Sequence, residues 1–256
     1  MEALWDLVAR TPGLDASVFA LLCAVSALTS AVSASAGLGG GAILVVVLAS
    51  TLPAQAVVPV HAVIQIGSNL FRALLLREDV RFDRFQPFAA GSLVGVAVGG
   101  PLAMALPAFG LEAIIGAFAL YCVWGPPLPA RSTSRGGFAT LGLAASFATM
   151  FAGATGPLVA PVVRASCPDR KSTVATHAAL MTWQHGVKIV AFGLLGFAYV
   201  PYLPLVGAML VFGLLGTWCG RLLLDRMPER GFRVVFDGVL TLLALRLLFE
   251  AARQAR

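Results

Sequence analysis

Two groups of polar residues stand at spacings that can do chemistry together. His61, Gln65, Ser68, Asn69 and Arg72 follow one another in steps that place them on one face of a helix. Thr173, His177, Gln184, His185 and Lys188 form a second such stripe, with Met181 where Gln65 would stand. All three histidines of the chain belong to these stripes. Amides, imidazoles and one cation per stripe suit hydrogen bonding and neutralising an anion. Histidine adds proton exchange, because its unperturbed pKa lies closest to neutrality.

Both stripes interrupt long apolar segments, where an Arg or Lys costs on the order of 2.5–3.5 kcal/mol at a helix centre and normally faces a protein interior or a watery path. For Arg72, four or five residues from a basic loop, two readings stand: a cavity-facing cation, or a side chain that snorkels to the surface. Lys188 lies about ten residues from the nearer end of its segment, about 15 Å along a helix at 1.5 Å per residue, which makes snorkelling harder. For the histidines the alternative is an ordinary interhelical hydrogen bond.

No carboxylate falls on either stripe. Glu78, Asp79, Asp83, Asp169, Asp225 and Glu229 read as loop residues, Glu112 and Asp237 as helix starts, and Glu250 as the C-terminal end. Buried cations without partner acids call for an anionic ligand. A metal-cation carrier would want carboxylates or thiolates here, so no metal and no cofactor are expected.

Two glycine-rich breaks add a second anion-binding element. Gly37-Leu38-Gly39-Gly40-Gly41 opens a short apolar run, and Gly153-Ala154-Thr155-Gly156-Pro157 occupies the matching place later. Glycine lets backbone approach a ligand, Pro157 can start a helix, and a half-helix N-terminus offers unpaired N–H groups with partial positive charge. Close helix packing through small residues is the alternative reading. The run is not G-x-G-x-x-G and no α/β alternation surrounds it, so dinucleotide binding is excluded.

The elements that must position these residues follow from composition and repetition. Of 256 residues, 59% are hydrophobic and 12% charged, against about 25% charged in soluble chains, and mean hydropathy is +0.89. Runs near the roughly 20 residues needed to span a bilayer make this an all-α polytopic membrane protein and exclude a water-soluble enzyme. A shift of 116 residues lays Gly37 on Gly153, Gly40 on Gly156, His61 on His177, Arg72 on Lys188, Gly91 on Gly207 and Gly100 on Gly216. A shift of 121 then pairs Pro107 with Pro228 and Gly110 with Gly231. The reading is two transmembrane repeats, residues 1–127 and 128–256, divided by the Pro-Gly-Ser-Arg stretch from Gly125 to Gly137.

Each repeat is expected to hold a glycine-broken helix and three spanning helices. In the first, these run about Ala16 to Ala36, a break at Gly37 to Gly41, a short run to Ser50, then Ala54–Leu76, Phe85–Leu106 and Leu111–Trp124. In the second they run Phe138–Ala152, a break at Gly153 to Pro157, a short run to Val163, then Thr173–Tyr199, Tyr202–Leu224 and Phe232–Ala251. The short runs fall below spanning length and read as half-helices or partial returns. Three net crossings per repeat would invert the second relative to the first. Loops 77–84, 125–135, 164–171 and 221–233 then share a face and carry twelve of the 18 basic residues, which makes that face cytoplasmic and both termini external. The net charge of +6 therefore reads as membrane orientation and not as nucleic-acid binding. Ala34-Ser35-Ala36 resembles a signal-cleavage site, but the acidic leader and the recurrence of the region inside the chain favour a mature helix. Cys23, Cys122, Cys167 and Cys219 lack C-x-x-C spacing and read as packing residues.

The sequence resembles the sulfite exporter TauE/SafE family of membrane permeases. The likeness is carried by A-G-L-G-G-G at Ala36–Gly41, the polar third helix ending Ser68-Asn69-Leu70-Phe71-Arg72, the basic loop after it, and the glycine-rich helix from Gly91 to Gly100. It implies export, or in some cases uptake, of sulfite, sulfoacetate or other organosulfonates across a bacterial inner membrane. The resemblance puts anion binding on Gly37–Gly41, Gly153–Gly156 and the stripes bearing Asn69, Arg72 and Lys188. Where the family's third helix often carries Thr-Ser, this chain has His61 after Val60 and His177 after Thr176, and its second break is poorer in glycine.

The expectation is thus a secondary transporter of small sulfur oxyanions working by alternating access of two inverted repeats. The substrate-binding set is Gly37, Gly39, Gly40, Gly41, His61, Gln65, Asn69, Arg72, Gly153, Thr155, Gly156, His177, Gln184, His185 and Lys188, with no catalytic or metal-binding residue. The partners expected are a small anion and the lipid bilayer, with a homodimer left open and no nucleic acid. Competing readings are a carrier of another small anion or carboxylate, an intramembrane enzyme, or an assembly subunit. Against the enzyme, His177 and His185 stand eight apart without an acid between them, so H-E-x-x-H zinc chemistry is absent.

Overall fold

Apolar runs leave the backbone no partner but itself in lipid, and helices satisfy it. The computed structural model describes residues 11, 14–36, 40–126, 133–223 and 229–255, and among them ten helices and no strand. They are α1 (Ala16–Ala36), α2 (Gly40–Ala49), α3 (Ala54–Leu75), α4 (Phe82–Ala105), α5 (Ala108–Trp124), α6 (Arg135–Ala152), α7 (Gly156–Ser166), α8 (Arg170–Leu194), α9 (Leu203–Leu223) and α10 (Glu229–Gln254). Four described stretches are long and apolar enough to cross a membrane: Ala16–Ser33, Ala54–Leu75, Phe82–Ala105 and Val200–Cys219.

Several helix starts lie earlier than the apolar pattern alone indicates, and capping explains two of them. Ser134 accepts from Gly137 N at 3.1 Å, so α6 begins at Arg135 and not at Phe138. Asp169 accepts from Ser172 N at 2.8 Å and starts α8 at Arg170 instead of Thr173. That helix ends at Leu194, five residues short of Tyr199, where Gly196 turns the chain with φ 93°. The first break is also shorter than expected, since α2 already begins at Gly40. The half-helices α2 and α7 have 10 and 11 residues, about 15 Å at 1.5 Å per residue, half a bilayer core.

Helices that the 116-residue shift lays on one another pack with their partners exchanged. Helix α4 lies along α6, and its counterpart α9 lies along α1, the counterpart of α6. Both seams depend on absent side chains. A Cβ on Gly91, Gly95 or Gly142 would strike the carbonyls of Ala139, Leu143 and Phe88, and one on Gly216 would strike that of Ala27. We expect Gly95→Ala and Gly216→Ala each to lower the thermal midpoint in detergent, by about 1–3 kcal/mol of overpacking. A change in only one of them would mean that the seams are not equivalent.

The other two large contacts are between counterparts, α3 with α8 and α5 with α10, and each pair runs antiparallel. Val58 and Phe192 line one apolar pocket, the rings of His61 and His185 meet at 5.7 Å, and just beyond α3 the Arg81 N–H donates to Thr176 Oγ1 at 3.0 Å. In the second pair Gln254 donates to Glu112 at 3.0 Å, and Trp124 Nε1 donates to Thr241 Oγ1 at 3.0 Å.

The two ends of the bundle differ chemically. At one end Lys171 pairs with Asp79 at 2.9 Å, Ser172 Oγ donates to Asp79 O at 3.0 Å, and Arg84 donates to Thr133 O, so the segment that follows α3, the one that precedes α6 and the start of α8 meet there. At the other end Phe197 stacks on Tyr202 at 5.7 Å and meets Tyr199 edge-on at 4.8 Å.

Candidate functional site

The two glycine breaks leave helix ends inside the bundle, and each end needs a partner. A helix C-terminus carries about half a negative charge on unpaired carbonyls, and its N-terminus the opposite. The cations of the two stripes answer the C-termini. Arg72 Nη1 donates to Ser33 O, near the end of α1, at 3.0 Å. Lys188 Nζ donates to Thr149 Oγ1 at 2.9 Å and to Gly153 O at 2.8 Å, at the end of α6. Arg72 pairs with Lys188, and Ser33 with Thr149, under the same 116-residue shift. Gly153 closes α6 with φ 77°, a left-handed conformation that favours glycine.

This settles the two readings left open for the cations. Lys188 is fully buried and does not snorkel. Arg72 is half-buried and bonded inward, with Nε on Ser68 O at 3.2 Å and Nη2 on Asn69 Oδ1 at 2.8 Å. Neither cation is as unpartnered as the lack of acids had implied, because helix-end carbonyls take the place of carboxylates.

With the C-termini neutralised, the starts of α2 and α7 face a common cavity of about 40 Å³. Eight of the expected residues line it: Gly41, His61, Gln65 and Asn69, then Arg72, Gly156, His177 and His185. No lining residue is an acid. His61 Nε2 lies 3.0 Å from Gly41 O, and His177 Nε2 lies 3.2 Å from Gly156 O. Since a carbonyl only accepts, each ring donates through Nε2 and holds the first turn of a half-helix in place.

The remaining expected residues stand behind the cavity or outside the description. Gln184 Nε2 donates to Ser146 Oγ at 3.0 Å, and Thr155 Oγ1 lies 3.1 Å from Gln184 Oε1. With Lys188 and Gly153 they form a buried polar layer that supports the second break. Gly40 sits against Thr29 O, where a Cβ would collide. Gly37 and Gly39 lie outside the described residues.

Sequence reasoning missed Ser33 on the cavity wall and Ser146 and Thr149 behind it, and it placed Met181 on the second stripe without counting it in the binding set. A signal for the hydroxyls existed. Ser26, Ser30 and Ser33 recur at helical spacing, as do Ser146 and Thr149, but small hydroxyl residues barely interrupt an apolar run.

A family model described as sulfite exporter TauE/SafE matches residues 22–247. No curated protein and no solved structure matches the chain.

Proposed function

The chain belongs to the sulfite exporter TauE/SafE family, a family of membrane permeases, and on that premise we propose that it is a secondary transporter exporting small sulfur oxyanions. The observation that carries this reading is the cavity's inventory. Two half-helix starts, Arg72, Gln65 and Asn69 border it without a carboxylate, so a compact anion finds donors on several sides. At about 40 Å³ the cavity exceeds the roughly 10–15 Å³ that one water needs and suits a compact anion.

In this reading residues 1–127 and 128–256 are inverted repeats of a multi-pass protein of the bacterial inner membrane, and one rocks against the other to alternate access. The antiparallel pairs α3/α8 and α5/α10 support inversion, because a two-fold axis in the membrane plane reverses every helix it relates. The basic loops meeting at one end support a cytoplasmic assignment for that end.

A ligand-stabilisation screen followed by flux in proteoliposomes tests the proposal. Sulfite should raise the thermal midpoint and cross the membrane, thiosulfate and sulfoacetate should act more weakly, and chloride should do neither. Stabilisation by acetate in preference to sulfite would move the substrate to carboxylates. Neither stabilisation nor flux with sulfite would remove the carrier assignment.

A further inference from the structure

The buried polar groups around the cavity are mostly satisfied, and the exceptions fall together. Asn69, Arg72, Gln184 and Lys188 all have hydrogen-bond partners. His61 does not have its full set: Nε2 is committed to Gly41 O, the Gly153 backbone also bears on the ring, and the buried Nδ1 makes no hydrogen bond of its own. His185 rests edge-on against His61 with ring centroids 5.7 Å apart, and its Nδ1 is likewise buried and unpartnered. The two side chains are 0% and 3% exposed, and both line the cavity. A buried polar atom left unpaired costs about 1–3 kcal/mol, so a proton or a hydrogen-bond donor such as water is favoured at both nitrogens beside the cavity.

The chemistry of the vacancy is specific. A neutral imidazole that donates through Nε2 keeps a bare lone pair on Nδ1, so His61 lacks a donor. The charged and titratable groups acting on the pair are Lys188 and His177 from α8, with Arg72 of α3 on the same cavity wall beside His177 and no acid among the lining residues. Those cations repel an added proton while the cavity is empty. An anion in the cavity offsets that repulsion, so anion and proton each favour the binding of the other, and linkage makes the effect reciprocal.

Resting on the transporter reading above, we infer that His61 and His185 form a proton site filled together with the anion site, so that one proton crosses with each anion and net export runs down the outward anion gradient. The proton passes from hydronium on the loading side to a vacant ring nitrogen, an O–H bond breaking as N–H forms, and returns to water on the far side as the anion leaves.

The test is a proton-to-anion ratio in proteoliposomes loaded with sulfite and an internal pH dye, with protein-free vesicles as the baseline for passive leak. The wild-type chain should move protons with sulfite. An imposed gradient of one pH unit should drive sulfite accumulation about tenfold, the ratio matching roughly 1.4 kcal/mol. In His185→Asn, which installs the residue found at the equivalent position 69, and in His61→Gln, the ratio in the remaining flux should fall towards the leak baseline. Proton uptake on adding sulfite to the detergent-solubilised protein in weak buffer should fall in parallel, which covers variants whose flux is too small to read. Sulfite flux in the wild type without protons overturns the inference and leaves the carrier intact. An unchanged ratio in both variants also overturns it, because the proton then rides on sulfite itself. Absence of any wild-type sulfite flux overturns both readings.

Discussion

Replacing Arg72 by alanine should reduce sulfite flux by about 10- to 100-fold in protein that still folds. The side chain lines the cavity and anchors three acceptors at once: Ser68 O, Ser33 O and Asn69 Oδ1. Those three bonds leave part of its five-donor fork free for a ligand. One hydrogen bond from a charged donor is worth about 1.5–3 kcal/mol, which gives that range at about 1.4 kcal/mol per factor of ten. Arg72→Lys should recover only part of the flux. It keeps the charge and cannot hold Ser33 O, Asn69 and an oxyanion in one plane. The flux assay should be paired with thermal unfolding, because the loss of the bond to Ser33 O also uncaps α1. A folded Arg72→Ala protein with normal flux would separate the cavity from transport.

How legible this site was depended on residue type. The stripes on α3 and α8 stood out because histidine, glutamine and cations are rare in apolar runs, and their repetition at one offset singled them out further. The exchanged pairing of α4 with α6 and α9 with α1 could not be read, since glycine spacing gives a seam but not its partner. Nor could the sequence distinguish the roles of the two cations. Arg72 and Lys188 are equivalent by offset, yet one lies on the cavity wall and the other behind it. That difference arises in the surrounding residues, where Gln65 and Asn69 in one half are replaced by Met181 and His185 in the other. Helix starts were read late wherever a cap lay outside the apolar pattern, as at Ser134 and Asp169.

Lys188 should therefore fail differently from Arg72. It is fully buried and does not line the cavity, and its ammonium holds Thr149 Oγ1 and Gly153 O while Thr149 Oγ1 also donates to Gly153 O at 3.0 Å. Lys188→Ala removes both bonds and leaves a void, at a cost of about 2–5 kcal/mol by comparison with other large-to-small core substitutions. Thermal unfolding in detergent should register this as a large drop in midpoint. Lys188→Met keeps most of the volume, removes the burial of a charged group, and leaves Gly153 O its bond from Thr149, so its midpoint should fall much less. Because Lys188 has no place on the cavity wall, Lys188→Met should also retain far more sulfite flux than Arg72→Ala. If Lys188→Met instead unfolds normally and carries no sulfite, the ammonium reaches the anion at some stage of transport, and the division between a wall cation and a supporting cation is wrong.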